Sequence, residues 1–123
     1  MDSNAYIYFM TNRANTTLYI GVTHDLVRRV AEHKAGINQS FTARYKCKKL
    51  VYYEHGESIL SAIKREKQLK SWKRVWKDEL VSGFNPTWQD LSGVIGVTPE
   101  LVEDIAANAE GYNASRDPGS SPG

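Results

Sequence analysis

The sequence predicts a small α+β domain with a mostly antiparallel sheet, and three observations in its 123 residues carry that prediction. Two apolar, aromatic segments near the start flank a short polar stretch, the pattern of a hairpin. Later segments repeat apolar residues at helical spacing between capping residues. A third strand-like segment separates those helices, so the order is strand, strand, helix, strand, helix, helix.

Ala5–Met10 (AYIYFM) reads as the first strand, Thr11–Thr17 (TNRANTT) as the turn, and Leu18–Val22 (LYIGV) as the second strand. Gly21 closes that strand, where a missing side chain lets a backbone or a ligand come close. Asp25–Ala35 reads as a helix with an acid in its first turn and Gly36 just past its end. Ile37–Lys49 is polar and basic without a period and reads as a loop. Leu50–Glu54 (LVYYE) is the third strand. Ser58–Lys70 is a strong helix, and Ser71–Ser82 continues it or follows a bend, with Gly83 and Pro86 as stops. Trp88 and Leu91 fold back onto the core. Thr98-Pro99-Glu100 opens a short helix reaching Ala109, and Arg116–Gly123 (RDPGSSPG) has the composition of disordered chain. The expected division is a domain over 1–92 and an acidic tail over 93–123.

A single cysteine, Cys47, excludes an internal disulfide and a multi-cysteine zinc site. No apolar run nears the ~20 residues of a membrane span, and Met1–Asn4 lacks the basic flank of a signal peptide. The expectation is a cytoplasmic, monomeric protein with no membrane partner. The net charge of +2 hides a split. Residues 1–77 hold fifteen Lys and Arg against six Asp and Glu, and residues 78–123 hold Arg116 against eight acids. A basic body suits a polyanion such as nucleic acid, or is simply a solvated Lys-rich surface.

Certain residues stand out from this frame. On the Ser58–Lys70 helix, Ile59, Ala62, Ile63 and Leu69 define one face, and Glu66 falls on it. A carboxylate there needs a cationic partner or a metal. On the first helix Leu26, Val27, Val30 and Ala31 face inward; Arg29 and His33, four apart, share a flank, while Arg28 and Glu32 point further out. That pair can address one anion, or pack an arginine stem beside a histidine bonded to a carbonyl. Tyr6 and Tyr8 share a strand face, and Tyr19 lies on the next strand.

Taken together these positions resemble the GIY-YIG nuclease superfamily, in particular its small stand-alone bacterial members; the chain is similar too to the N-terminal nuclease domain of the ABC excinuclease. Tyr19-Ile20-Gly21 matches the second half of the family's name. Tyr6-Ile7-Tyr8 matches the first, with Tyr6 where the family has glycine. Ten residues after Tyr19 stands Arg29, then His33 one turn on, then Glu66 within Lys64-Arg65-Glu66-Lys67-Gln68-Leu69-Lys70. Asn85, in Asn85-Pro86-Thr87-Trp88, is the looser match to a late asparagine. The resemblance spans about Tyr6 to Leu91.

The resemblance implies a three-stranded antiparallel sheet flanked by helices and metal-dependent hydrolysis of phosphodiester bonds in DNA, in a DNA-repair setting, with RNA open as a substrate. It implies Glu66 as the ligand of Mg²⁺ or Mn²⁺, Arg29 as a two-pronged clamp on the scissile phosphate, and Tyr8 or Tyr19 as general base, the other orienting water or phosphate. His33 then relays a proton or holds a tyrosine. Arg28, Arg44, Lys46, Lys48 and Lys49 would track the backbone, with Tyr45 stacking on a base. Two alternatives stand beside the nuclease: a nucleic-acid-binding domain with an inactive site, and an interaction module docking through 99–109. The acidic tail is also placed to fold over the basic face.

Overall fold

Alternation of large apolar residues in the first two strands gives each sheet face its own core. The computed structural model describes residues 4–37, 41–109 and 121–122. The strands are β1 (Ala5–Thr11), β2 (Leu18–Thr23), β3 (Lys49–Gly56) and the two-residue β4 (Ser121–Pro122). The helices are α1 (Leu26–Ala35), α2 (Phe41–Arg44), α3 (Ile59–Ser71), α4 (Arg74–Phe84) and α5 (Pro99–Ala107). β1 is central and pairs antiparallel with β2 and β3, while β4 adds to the outer edge of β2. The fold is therefore α+β, its three long antiparallel strands flanked by helices. Ser121–Pro122 belong to the stretch expected to be disordered; the rest of 116–123 lies outside the described residues.

One face carries Ala5, Ile7 and Phe9 of β1 with Leu18, Ile20 and Val22 of β2, packed against Ala62 and Leu69 of α3 and Val81 of α4. The other carries Tyr8, Met10 and Tyr19, covered by Leu26, Val30 and Ala31 of α1 with Cys47, Leu50, Leu91, Val97 and Ile105. With helices on both faces, β2 is buried along its whole length.

Caps fix the helix starts. Asp25 accepts the Arg28 N–H, Ser58 and Ser61 form a reciprocal capping box, and Thr98 accepts the Leu101 N–H ahead of Pro99. Gly36 ends α1 in the left-handed region at φ 67°, its N–H donating to Glu32 O and His33 O. Two expectations shift, and of the two courses open after Ser71 the bend is the one taken. The 37–49 loop contains the single turn α2. The helix beginning at Ser58 breaks at Trp72 and Lys73, both extended, because Trp72 turns onto the first core cluster. Gly83 does not stop α4, which runs to Phe84.

The expected boundary between 92 and 93 falls inside the second cluster. Val97 and Ile105 are buried there, and α5 packs along α1 with Glu100, Glu103 and Asp104 exposed. Ile105→Ala is thus expected to cost about 2–5 kcal/mol, measured as a lower urea midpoint. Deletion of 93–123, which the charge split alone presents as harmless, is expected to destabilise the fold further. Wild-type midpoints for both variants would show α5 to be an appendage.

Candidate active site

Tyr8 and Tyr19 reach the same face through strand register. Tyr8 lies opposite Gly21 and Tyr19 opposite Met10, and the rings stand 6.1 Å apart. A Cβ on Gly21 would lie 2.6 Å from the Tyr8 hydroxyl oxygen. Gly21 thus sits within β2 rather than closing it, and what comes close is the Tyr8 ring, not a backbone or a ligand.

α1 brings His33 onto this pair, its ring 5.6 Å from Tyr8 and 5.3 Å from Tyr19. His33 Nε2 is 2.9 Å from the Tyr8 hydroxyl, and Nδ1 is 2.8 Å from Thr42 Oγ1. All three residues are buried. Burial first, and the Arg29 charge second, push the imidazole pKa down to about 3. The neutral ring carries one N–H, so one nitrogen donates to a hydroxyl while the other accepts from one. A continuous chain Thr42–His33–Tyr8 results.

This burial carries a pH signature. His33 folds neutral with a pKa near 3 against an ordinary 6.5. The unfolded chain therefore binds the extra proton first, and stability present above about pH 6.5 is lost progressively as pH falls towards 3. The slope is at most about 1.4 kcal/mol per unit. His33→Gln is expected to flatten the fall in melting temperature between pH 7 and 5. An unchanged fall would show that His33 does not titrate across unfolding.

Arg29 is also buried. Burial opposes its charge, but Tyr8, Tyr19 and Glu32 together hold its guanidinium above the ordinary arginine value. Its Nη1 donates to Glu32 Oε1 at 3.1 Å, and Arg28 Nε lies 3.5 Å from Glu32 Oε2. Glu32 is fully buried, which corrects the outward placement read from the helical wheel. The wheel assumes one covered face, whereas α1 packs on the sheet and on α5, and 29–33 are all buried.

Glu66 is buried on α3, on the helix face of Ala62 and Leu69. That face packs on the first sheet face, whereas Tyr8 and Tyr19 lie on the second; the structure does not bring Glu66 into contact with the Tyr8–His33–Arg29 cluster. Lys70, one turn later, stands in ion-pair contact with its buried Oε2. A buried anionic oxygen donor suits a divalent cation, which would take the place of the ammonium. Among the described residues no three His, Cys, Asp or Glu cluster as a metal site. Asn85 is engaged elsewhere. Its Nδ2 donates to Val51 O and Gln89 O, at 3.1 and 2.8 Å, and its Oδ1 accepts the Gln89 N–H, bracing the turn after α4 against β3.

The proposed backbone-tracking residues are at the surface. Arg44, Tyr45, Lys46 and Lys48 are exposed and Lys49 half-buried, with the Arg44 guanidinium 5.5 Å from the Tyr45 ring centre. Arg28 is exposed while sharing Glu32. Cys47 is buried, which pushes its thiol up to about 11. Two site residues escape the sequence reading, Glu32 and Thr42. Glu32 had a signal, since it lies three and four residues after the two arginines; Thr42 had none, because a non-periodic loop brings it to His33.

A family model described as the GIY-YIG catalytic domain matches residues 4–79. A UPF0213 protein of Natronomonas pharaonis is 38% identical over 82 residues, covering 67% of this chain and 95% of its own. One of Streptococcus pneumoniae is 37% identical over 82 residues, covering 67% and 82%. One of Listeria innocua is 31% identical over 80 residues, covering 65% and 89%. No solved structure matches significantly. No helix among the described residues is long and apolar enough to cross a membrane.

Proposed function

The chain belongs to the GIY-YIG catalytic-domain family, and on that premise we propose that it is an endonuclease hydrolysing phosphodiester bonds in DNA, single-stranded or branched. The observation that carries this reading is the buried Tyr8–His33 hydrogen bond beside the Arg29 guanidinium.

Tyr8 is the general base in this scheme. Free tyrosine, with a pKa of about 10, is too weakly acidic to ionise near neutrality, and the adjacent Arg29 charge favours loss of its proton. His33, neutral and anchored by Thr42, presents either a lone pair or an N–H at Nε2. It can therefore bond Tyr8 in either protonation state. Tyr19 orients the attacking water, and Arg29, aimed by Glu32, clamps the scissile phosphate. Glu66, a buried carboxylate, is the residue that would hold Mg²⁺ or Mn²⁺ in place of the Lys70 ammonium, and the chemistry supplied there would be charge neutralisation at the phosphoryl and leaving oxygens. Arg44, Lys46, Lys48 and Lys49 attract the backbone and Tyr45 offers a stacking face.

A second reading has one observation in its favour. Lys70 already stands on Glu66, as in a structural ion pair within a non-catalytic nucleic-acid-binding domain. Incubating the purified chain with labelled single-stranded, duplex and branched DNA, and with RNA, with and without Mg²⁺ or Mn²⁺, separates the two. Metal-dependent fragments support the nuclease; binding without cleavage of any substrate supports the second reading.

A further inference from the structure

Of the fourteen residues from Lys64 to Lys77, seven are Lys or Arg and one, Glu66, is acidic, with Asp78 and Glu79 following. Arg65, Lys70 and Arg74 stand in ion pairs and Lys77 is buried, while Lys64, Lys67 and Lys73 are exposed. The same stretch carries Trp72 and Trp76, which the mechanism does not use. The break between α3 and α4 sets their rings edge to face, centroids 6.3 Å apart at 86°. Trp72 is half-buried against the first core cluster, with the Arg65 guanidinium 5.5 Å from its ring centre. Arg65 is itself fixed by Glu54, at 2.8 and 3.3 Å. Trp76 stays 48% exposed, with the Lys73 ammonium 5.6 Å from its ring centre. A groove of about 340 Å³ beside the indoles is lined by Trp72, Trp76, Glu79 and Leu80.

An exposed indole beside a rigid one, among this many cations, matches a polyanion that also presents flat apolar rings. We propose that the Trp72–Trp76 groove is a stacking subsite for an unpaired base of single-stranded nucleic acid, with the flanking phosphates on exposed lysines of this stretch such as Lys73. The proposal rests on the nucleic-acid reading above and narrows it to substrates with an unpaired base. Glu79, at the groove wall, accepts from an exocyclic amine, so cytosine and adenine are preferred to thymine, which has none. Trp72 follows Glu66 by six residues, just past the end of α3.

The test is a fluorescence binding titration of the full chain in EDTA against dC20, dT20 and a duplex of equal length at two salt concentrations. Trp76→Ala is expected to weaken dC20 binding about tenfold, to leave duplex affinity within about twofold, and to leave the salt slope unchanged, since no phosphate contact is lost. Trp76→Phe is expected to retain most of the affinity, and Glu79→Gln to narrow the preference for dC20 over dT20. Unchanged dC20 binding by Trp76→Ala overturns the subsite while leaving the nuclease reading intact. Equal losses on duplex and single strand, or failure of phenylalanine to rescue, also overturn it. Loss of self-association with unchanged oligonucleotide binding would make the groove a protein-docking face instead. If the wild-type chain binds no nucleic acid, both readings fall.

Discussion

Glu66→Gln is expected to reduce DNA cleavage about a thousandfold, equivalent to about 4 kcal/mol of transition-state stabilisation, and to change DNA affinity by less than about threefold. Glutamine keeps the side-chain shape inside the apolar face of α3 but removes the ligand charge. The competing role makes a different forecast. Were Glu66 only the partner of Lys70, the variant would leave an ammonium without its counter-charge and melt earlier, while cleavage per folded molecule would persist. Melting temperature and single-turnover rate measured on the same preparation therefore distinguish ligand from ion pair. A near wild-type rate removes Glu66 from the chemistry.

The neighbouring arginines provide the second large effect. Arg29→Lys is expected to slow cleavage by about 10²–10³, the loss seen when one donor to a developing negative charge is removed. Arg28→Lys should change it by no more than a few-fold. Both variants keep the charge, and only the first loses a planar fork buried beside the tyrosines. Glu32→Gln should fall between them, because it loosens the 3.1 Å bond that aims Arg29 without touching substrate. Equal, small effects at 28 and 29 would mean that the buried guanidinium never meets the reacting phosphate.

Much of this arrangement was legible because local rules and tertiary packing agree. The hairpin follows from the apolar, aromatic segments 5–10 and 18–22 on either side of a polar turn, and α1, α3 and α5 begin where Asp25, Ser58 and Thr98 offer side-chain caps. Glu66 could be picked out as buried because its helix covers a single sheet face with a clear apolar stripe. The same method misplaced Glu32, since α1 is covered on more than one side and a wheel records only one. Thr42 was invisible to any periodic rule. The break at Trp72 carries no glycine or proline; it follows from where the indole packs, which is tertiary information. Residues beyond 92 look like an acidic appendage by composition, although Val97 and Ile105 complete the core beneath the tyrosines. Asn85 fits the family's order in the sequence, while its amide is occupied in bracing a turn.

The most direct test compares wild-type chain with the Tyr8→Phe, Glu66→Gln double variant, purified identically, on end-labelled single-stranded and branched DNA across a Mg²⁺ titration. Wild type should yield fragments that rise with Mg²⁺ and vanish in EDTA, and the double variant should yield none while still binding the DNA. Fragments of equal yield from both proteins, or from neither when both bind, would contradict the assignment of this tyrosine–histidine–arginine cluster and Glu66 as a nuclease site.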